Sequence, residues 1–295
     1  MRNLLLVSFL TLFFFPTSAF SQQPMYEYIG VIKLSDSAFI SYRLAFEEVD
    51  GRIEGYSLTD MGGKHETKSN IKGRYDETEK ILSFQEYDIV YTKSPLEELD
   101  MYMCLVSFEG KLRNLKKNKA FSGDFKGVSA EGNACPEGMI IVSNAQKADK
   151  RIEKFDKKVQ KSKKISQEVK DKISMRRAID TLTMSVVKKD ENLNVFTKTK
   201  NVIISIYDAG KVDDDRINLY IDGKLILENY AILREKKEIP ITISKESTTV
   251  KVTALNVGDS APNTVKVEIL DGSNLITTRT SLNTNESAVL TLVNQ

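Results

Sequence analysis

The stretch YDAGKVDDDRINLYIDGKLI, residues 207–226, carries five aspartates, a supply of hard oxygen ligands. Calcium takes about six to eight oxygens from carboxylates and carbonyls of a bent loop. Asp208, Asp213 and Asp215 could converge on such an ion, with Gly210 permitting the bend. The run departs from the EF-hand pattern, because no glycine follows Asp215 and no glutamate closes the loop. The other reading is a solvated acidic turn, in which aspartates satisfy their own backbone and keep a sheet edge from pairing. Calcium is the one cofactor these residues suggest.

Catalytic chemistry has little to work with. The chain has one histidine, His65, in the polar turn MGGKHETK. A multi-histidine zinc site is therefore excluded, and no serine–histidine–aspartate set stands out. Neither a GxSxG elbow nor a phosphate-cradling glycine loop is present. Glu47 and Glu48 are adjacent, but neighbours on a strand face opposite sides. No catalytic residue is assigned, and the expectation is a protein that is not an enzyme. A hydrolase with an unrecognised site is the weakest alternative. Cys104 and Cys135 are the only cysteines, and in an exported chain an even pair reads as one disulfide.

Export follows from the first residues. Arg2 precedes an apolar run, Leu4 to Phe15, and then the small residues Thr17, Ser18, Ala19 and Ser21. A core of about a dozen residues suits a signal peptide over 1–21 and is too short for a membrane span. No later stretch is long and apolar enough to span, so the mature chain is expected in the periplasm or outside the cell. Nucleic acid is not an expected partner. The partners expected are an envelope protein, a glycan or a lipid.

These residues must be positioned by a mainly β chain. From Tyr26 to Ser143 short apolar–polar alternations are separated by turns such as Val49-Asp50-Gly51-Arg52, the pattern of an antiparallel meander. Within it, Ile53-Glu54-Gly55-Tyr56, Ile71-Lys72-Gly73-Arg74-Tyr75 and Phe121-Ser122-Gly123-Asp124-Phe125 repeat an apolar residue, a glycine and an aromatic. Glycine inside a strand marks a bend or close backbone approach, and repeated bends let a sheet curl and close. Residues 25–145 are thus expected to form a barrel-like domain, which resembles lipocalin-like and avidin-like barrels in general plan. The tryptophan-bearing lipocalin fingerprint is absent.

Residues 146–190 hold fifteen Lys or Arg against seven Asp or Glu, with no Gly or Pro. Ile152, Phe155 and Val159, then Ile165, Val169 and Ile173, then Ile179, Leu182 and Val186 fall at helical spacing. This region reads as a charged helical linker. Over residues 191–295 the period returns to two, with hairpin signals at Asp222-Gly223 and Asp271-Gly272. Its short strands fit an immunoglobulin-like β-sandwich. The run from Asp208 through Gly210, Asp213, Asp214 and Asp215 to Asp222-Gly223, with Asn256-Val257-Gly258 and Ala261-Pro262-Asn263-Thr264 beyond, resembles β-sandwich modules of exported bacterial proteins. Asp214 stands where those modules usually carry glycine. The resemblance implies a fold and export, and brings no activity. The function expected is binding or structural work at the bacterial envelope. The alternative is a carrier that holds a small apolar ligand in the N-terminal barrel.

Overall fold

The computed structural model describes residues 25–96, 104–117, 119–129, 134–161, 184–209, 212–243, 246–259 and 261–295. The expected signal peptide and the helical positions Ile165, Val169, Ile173, Ile179 and Leu182 lie outside them. The chain is mainly β. Eight strands come first: β1 (Tyr26–Lys33), β2 (Phe39–Val49), β3 (Arg52–Thr59), β4 (Thr67–Asp76), β5 (Ile81–Thr92), β6 (Leu105–Lys111), β7 (Phe121–Val128) and β8 (Glu137–Asn144). They pair antiparallel in the order β5-β4-β3-β2-β1-β8-β7-β6, and β6 returns to β5. The sheet is thereby a closed eight-stranded antiparallel barrel.

The glycine motif explains how a barrel this narrow holds its contents. In β4 and β7 the large residue, glycine and aromatic sit two apart, Ile71-Gly73-Tyr75 and Phe121-Gly123-Phe125, so all three face inward, whereas in β3 Tyr56 follows Gly55 directly and faces the other side. A side chain on Gly73 would run into the Ser83 carbonyl and Phe84, and one on Gly123 would meet Phe108 Cζ at 2.9 Å. The missing side chains leave room for rings from neighbouring strands. Phe84 stacks on Phe108 at 4.9 Å, Phe108 meets Phe121 at 5.6 Å, and Tyr28 stands edge-on to Phe121 at 4.9 Å. Tyr28 also stacks on Phe46. At the end marked by Tyr26 and Tyr75, buried Leu112 and Leu115 join the core, and the Tyr75 hydroxyl donates to the Leu112 carbonyl at 3.1 Å.

Asn144 then caps the helix α1 (Ala145–Lys161), its side-chain oxygen accepting the Lys147 N–H at 2.9 Å. Ile152, Phe155 and Val159 fall within it. The helical pattern fails at its far end. Val186 lies in a strand, β9 (Ser185–Lys188), which pairs parallel with β17 (Asn274–Ser281). Two β-branched residues flanked by polar ones satisfy either period, and strand pairing decides. Among the described residues no helix is long and apolar enough to cross a membrane.

The remaining strands are β10 (Asn192–Thr197), β11 (Asn201–Tyr207), β12 (Arg216–Ile221), β13 (Lys224–Ala231), β14 (Lys237–Thr242), β15 (Ser247–Ala254), β16 (Lys266–Asp271) and β18 (Ser287–Asn294). One sheet runs β14-β11-β16-β17-β9, and the other runs β13-β12-β15-β18-β10. The second is continuous with the barrel, because β10 pairs with the end of β5 through Asn194–Thr92 and Val195–Tyr91. Residues of both sheets share one aliphatic core, which also takes in Leu58 and Tyr91 of the barrel strands. Asp50-Gly51 and Asp222-Gly223 form the expected two-residue turns, all four residues at positive φ. The third expected turn is shifted by one: Asp271 pairs with Asn274, so Gly272-Ser273 is the loop.

Candidate functional site

The ring cluster does not fill the barrel. At the end where β1 finishes and β2 begins, a cavity of about 210 Å³ remains. Its apolar wall is Ile32, Leu34, Ile40, Leu105, Val106 and Phe125, and its rim includes Asp60 and His65. A dry apolar cavity of about 150 Å³ can hold benzene, so the space suits a small molecule.

Glu86 forms part of the inner wall. It continues the inward set Leu82, Phe84, Glu86 along β5 and is only 3% exposed. Just past it the pairing with β4 shifts register, from Ile71–Glu86 to Asn70–Asp88. Its oxygen Oε1 accepts from Ser57 Oγ at 2.5 Å and, weakly, from the Tyr42 hydroxyl at 3.4 Å. Oε2 accepts the Val106 N–H at 2.8 Å. Burial pushes the Glu86 carboxyl above its ordinary range, against the opposing pull of these three donors. Burial also holds the Tyr42 phenol well above its ordinary value, with the Glu86 charge adding to the effect.

The disulfide stands at the lip. Cys104 and Cys135 are bonded, with Cα atoms 5.8 Å apart, and Cys104 also lines the cavity. Gly127 makes the space, since a side chain there would meet Cys135 Cβ at 2.6 Å. The bond ties the start of β6 to the chain entering β8, the two segments flanking β7 at this mouth. His65 is exposed, and its Nδ1 lies 3.1 Å from Ser94 Oγ.

Beside the mouth, the strands that leave the barrel are locked to the C-terminal layers. Lys93 is 8% exposed, and its ammonium donates to the Val186 carbonyl at 2.6 Å and to Glu191 Oε2 at 3.0 Å. Asn194 donates to the Ser94 carbonyl at 2.8 Å. The lysine stays buried by being paired with the half-buried carboxylate.

The acidic stretch sits elsewhere. Asp208 and Asp215 are buried, whereas Asp213 is half-buried, and Gly210 lies outside the described residues. Asp215 Oδ2 accepts the Thr264 N–H at 2.9 Å, and Oδ1 has no hydrogen-bond partner. Burial pushes the Asp215 carboxyl up to about 6, and the charges of Asp213, Asp208 and Asp214 add to it. Among the described residues no three His, Cys, Asp or Glu side chains group closely enough to hold a metal ion. Asn256 and Asn263 tie the same loop down. Asn256 accepts the Arg216 N–H at 2.6 Å and donates to the Asp214 carbonyl at 2.8 Å, while Asn263 donates to the Asn256 carbonyl at 3.1 Å.

Sequence reasoning picked out the cysteine pair and missed Glu86. The available signal was an acid at the third inward position of Leu82, Phe84, Glu86, where an apolar residue belongs. Comparison with family models, curated proteins and solved structures returned no match.

Proposed function

We propose that this is an exported, non-catalytic binding protein of the bacterial envelope whose barrel mouth holds a small, largely apolar ligand. The observation that carries this is the apolar cavity with a buried carboxylate in its wall at one end of the barrel. An unfilled hydrophobic space costs packing energy, a buried acid costs solvation, and apolar walls with a few placed polar groups are the usual form of a small-ligand site. The carrier reading thereby takes precedence over purely structural work at the envelope. The leader-like start of the chain supports export, and the disulfide is consistent with an oxidising compartment. The C-terminal layers are read as an immunoglobulin-like sandwich, supported by two facing five-stranded sheets around one core. Residues 146–190 are read as a helical connection for part of their length, supported by α1.

Mass spectrometry of small molecules extracted from protein purified from its native compartment tests the carrier reading. Wild-type protein should release a compound that an Ile40→Trp variant, blocked at the mouth, does not. Identical extracts from both would overturn it. A second reading, docking of a protein partner, is favoured by the edge strand β13, which leaves Leu225 and Ile226 exposed.

A further inference from the structure

The charge of the cavity wall narrows the ligand's chemistry. Among the described residues its titratable lining groups are Glu86, Asp60 and His65, with no lysine or arginine in the lining. Asp60 is occupied locally, since its Oδ2 accepts the His65 N–H at 2.9 Å. Glu86 is different. All three of its hydrogen-bond partners, Ser57, Tyr42 and the Val106 N–H, are neutral donors. Buried carboxylates are ordinarily paired with a cation. Two carboxylate oxygens offer about four acceptor positions, and three are used, leaving one on Oε2. An anionic ligand would meet a desolvated acid with no countercharge on the wall. A cationic donor would supply the missing partner, and the walls of Ile32, Leu34, Ile40, Leu105 and Phe125 would cover its apolar body.

We propose that the barrel mouth selects small organic ammonium compounds, a primary amine on an apolar body of about the size of a single ring, with the amine donating to Glu86. This rests on the reading of the mouth as a ligand cavity. The binding energy divides between two parts of the site. The apolar wall sets size and excludes water, and it treats an amine, an alcohol and an acid of one shape alike. The carboxylate sets the ranking among them. Glu86 is held by donors from β2, β3 and β6, so its acceptor is fixed before the ligand arrives, and little ordering is needed on binding.

Benzylamine, benzyl alcohol and benzoate share one ring and differ in charge, so titration calorimetry with these three probes tests the proposal. Wild-type protein should bind benzylamine about tenfold tighter than benzyl alcohol, a difference of about 1.4 kcal/mol, and benzoate weakest of all. Glu86→Gln should bring benzylamine down to the level of benzyl alcohol. Ile40→Trp should abolish binding of all three. Benzoate bound as tightly as benzylamine, or an amine preference that survives Glu86→Gln, would overturn the amine assignment and leave the cavity reading standing. Absence of binding by every probe, or binding unchanged by Ile40→Trp, would overturn the cavity reading itself. The wild-type ranking decides the assignment even if Glu86→Gln does not fold.

Discussion

The barrel and the C-terminal layers solve the same burial problem with different side chains. The barrel core is built on rings, with Tyr26, Tyr28, Tyr42, Phe46, Phe84 and Phe108 among its members. Among the described residues the C-terminal core is Val, Ile, Leu and Ala, with one buried ring, Tyr91, contributed by β5. Two facing sheets interdigitate short branched side chains along their whole length. A small closed barrel has a tapering interior, which large rings fill by lying across glycines on adjacent strands. Rings are coarse filling, and here they stop short of one mouth. The polar consequence differs too. Asp271, at the edge of the aliphatic core, takes three donors: the Lys198 and Thr199 N–H groups and the Thr199 hydroxyl. Glu86 also takes three, yet it borders open space. The satisfied acid at the seam fastens two segments, whereas the one at the cavity keeps an acceptor position open, the basis of the recognition role proposed for it.

The difference in packing gives the largest expected effect. Phe108 contacts Phe84 and Phe121 and packs against the two inward glycines Gly110 and Gly123. Phe108→Ala should cost about 3–5 kcal/mol in denaturant unfolding, against about 1 kcal/mol for Ile204→Val in the aliphatic core. Equal losses would show that the rings are not the barrel's main support. Next comes the mouth. Replacing Cys104 and Cys135 together with Ala should cost about 3–4 kcal/mol from the loop they close. The loss should appear in the denaturant midpoint and should be mimicked by reductant on the wild type. A midpoint that ignores both changes would remove the bond from the account of the mouth.

The smallest effect lies in the C-terminal region and has a sign in pH. Asp215 is raised from 3.8 to about 6 in the folded chain. The folded state therefore holds a proton that the unfolded chain has released between about pH 4 and pH 6, and stability falls as pH rises through that window. The loss is at most about 3 kcal/mol. Asp215→Asn should flatten this slope and melt higher than wild type at pH 8, with the Thr264 contact kept by the amide oxygen. A variant less stable than wild type at pH 8 would show that the ionised carboxylate is favourable there, through an interaction outside this network.

Much of the barrel was legible because local signals decide it. Phe39–Val49 and Arg52–Thr59 end and begin on either side of the expected Asp50-Gly51 turn, which fixes their register. The glycine motif announced curvature for a reason visible in one strand at a time. The partnership of Cys104 and Cys135 followed from their number. Glu86 was written in the alternation but gains meaning only when β6 closes on β5 and brings the Val106 N–H to it. Asp215 behaved the same way. Five aspartates within one short run suggested a metal loop, and the contact from Thr264 that holds Asp215 comes from 49 residues away, outside any local pattern. β9 was hidden by its four residues and its parallel pairing with β17, which no local pattern encodes.

The central claim is that the barrel mouth, and not the aliphatic core, admits a ligand. Methyl-resolved NMR during a titration with benzyl alcohol tests it most directly, because both regions report in one spectrum. The account predicts saturable shifts at the methyls of Ile32, Ile40, Leu105 and Val106, with those of Ile204, Val252 and Leu290 unmoved. Shifts centred on the second set, or none in the first, would contradict it.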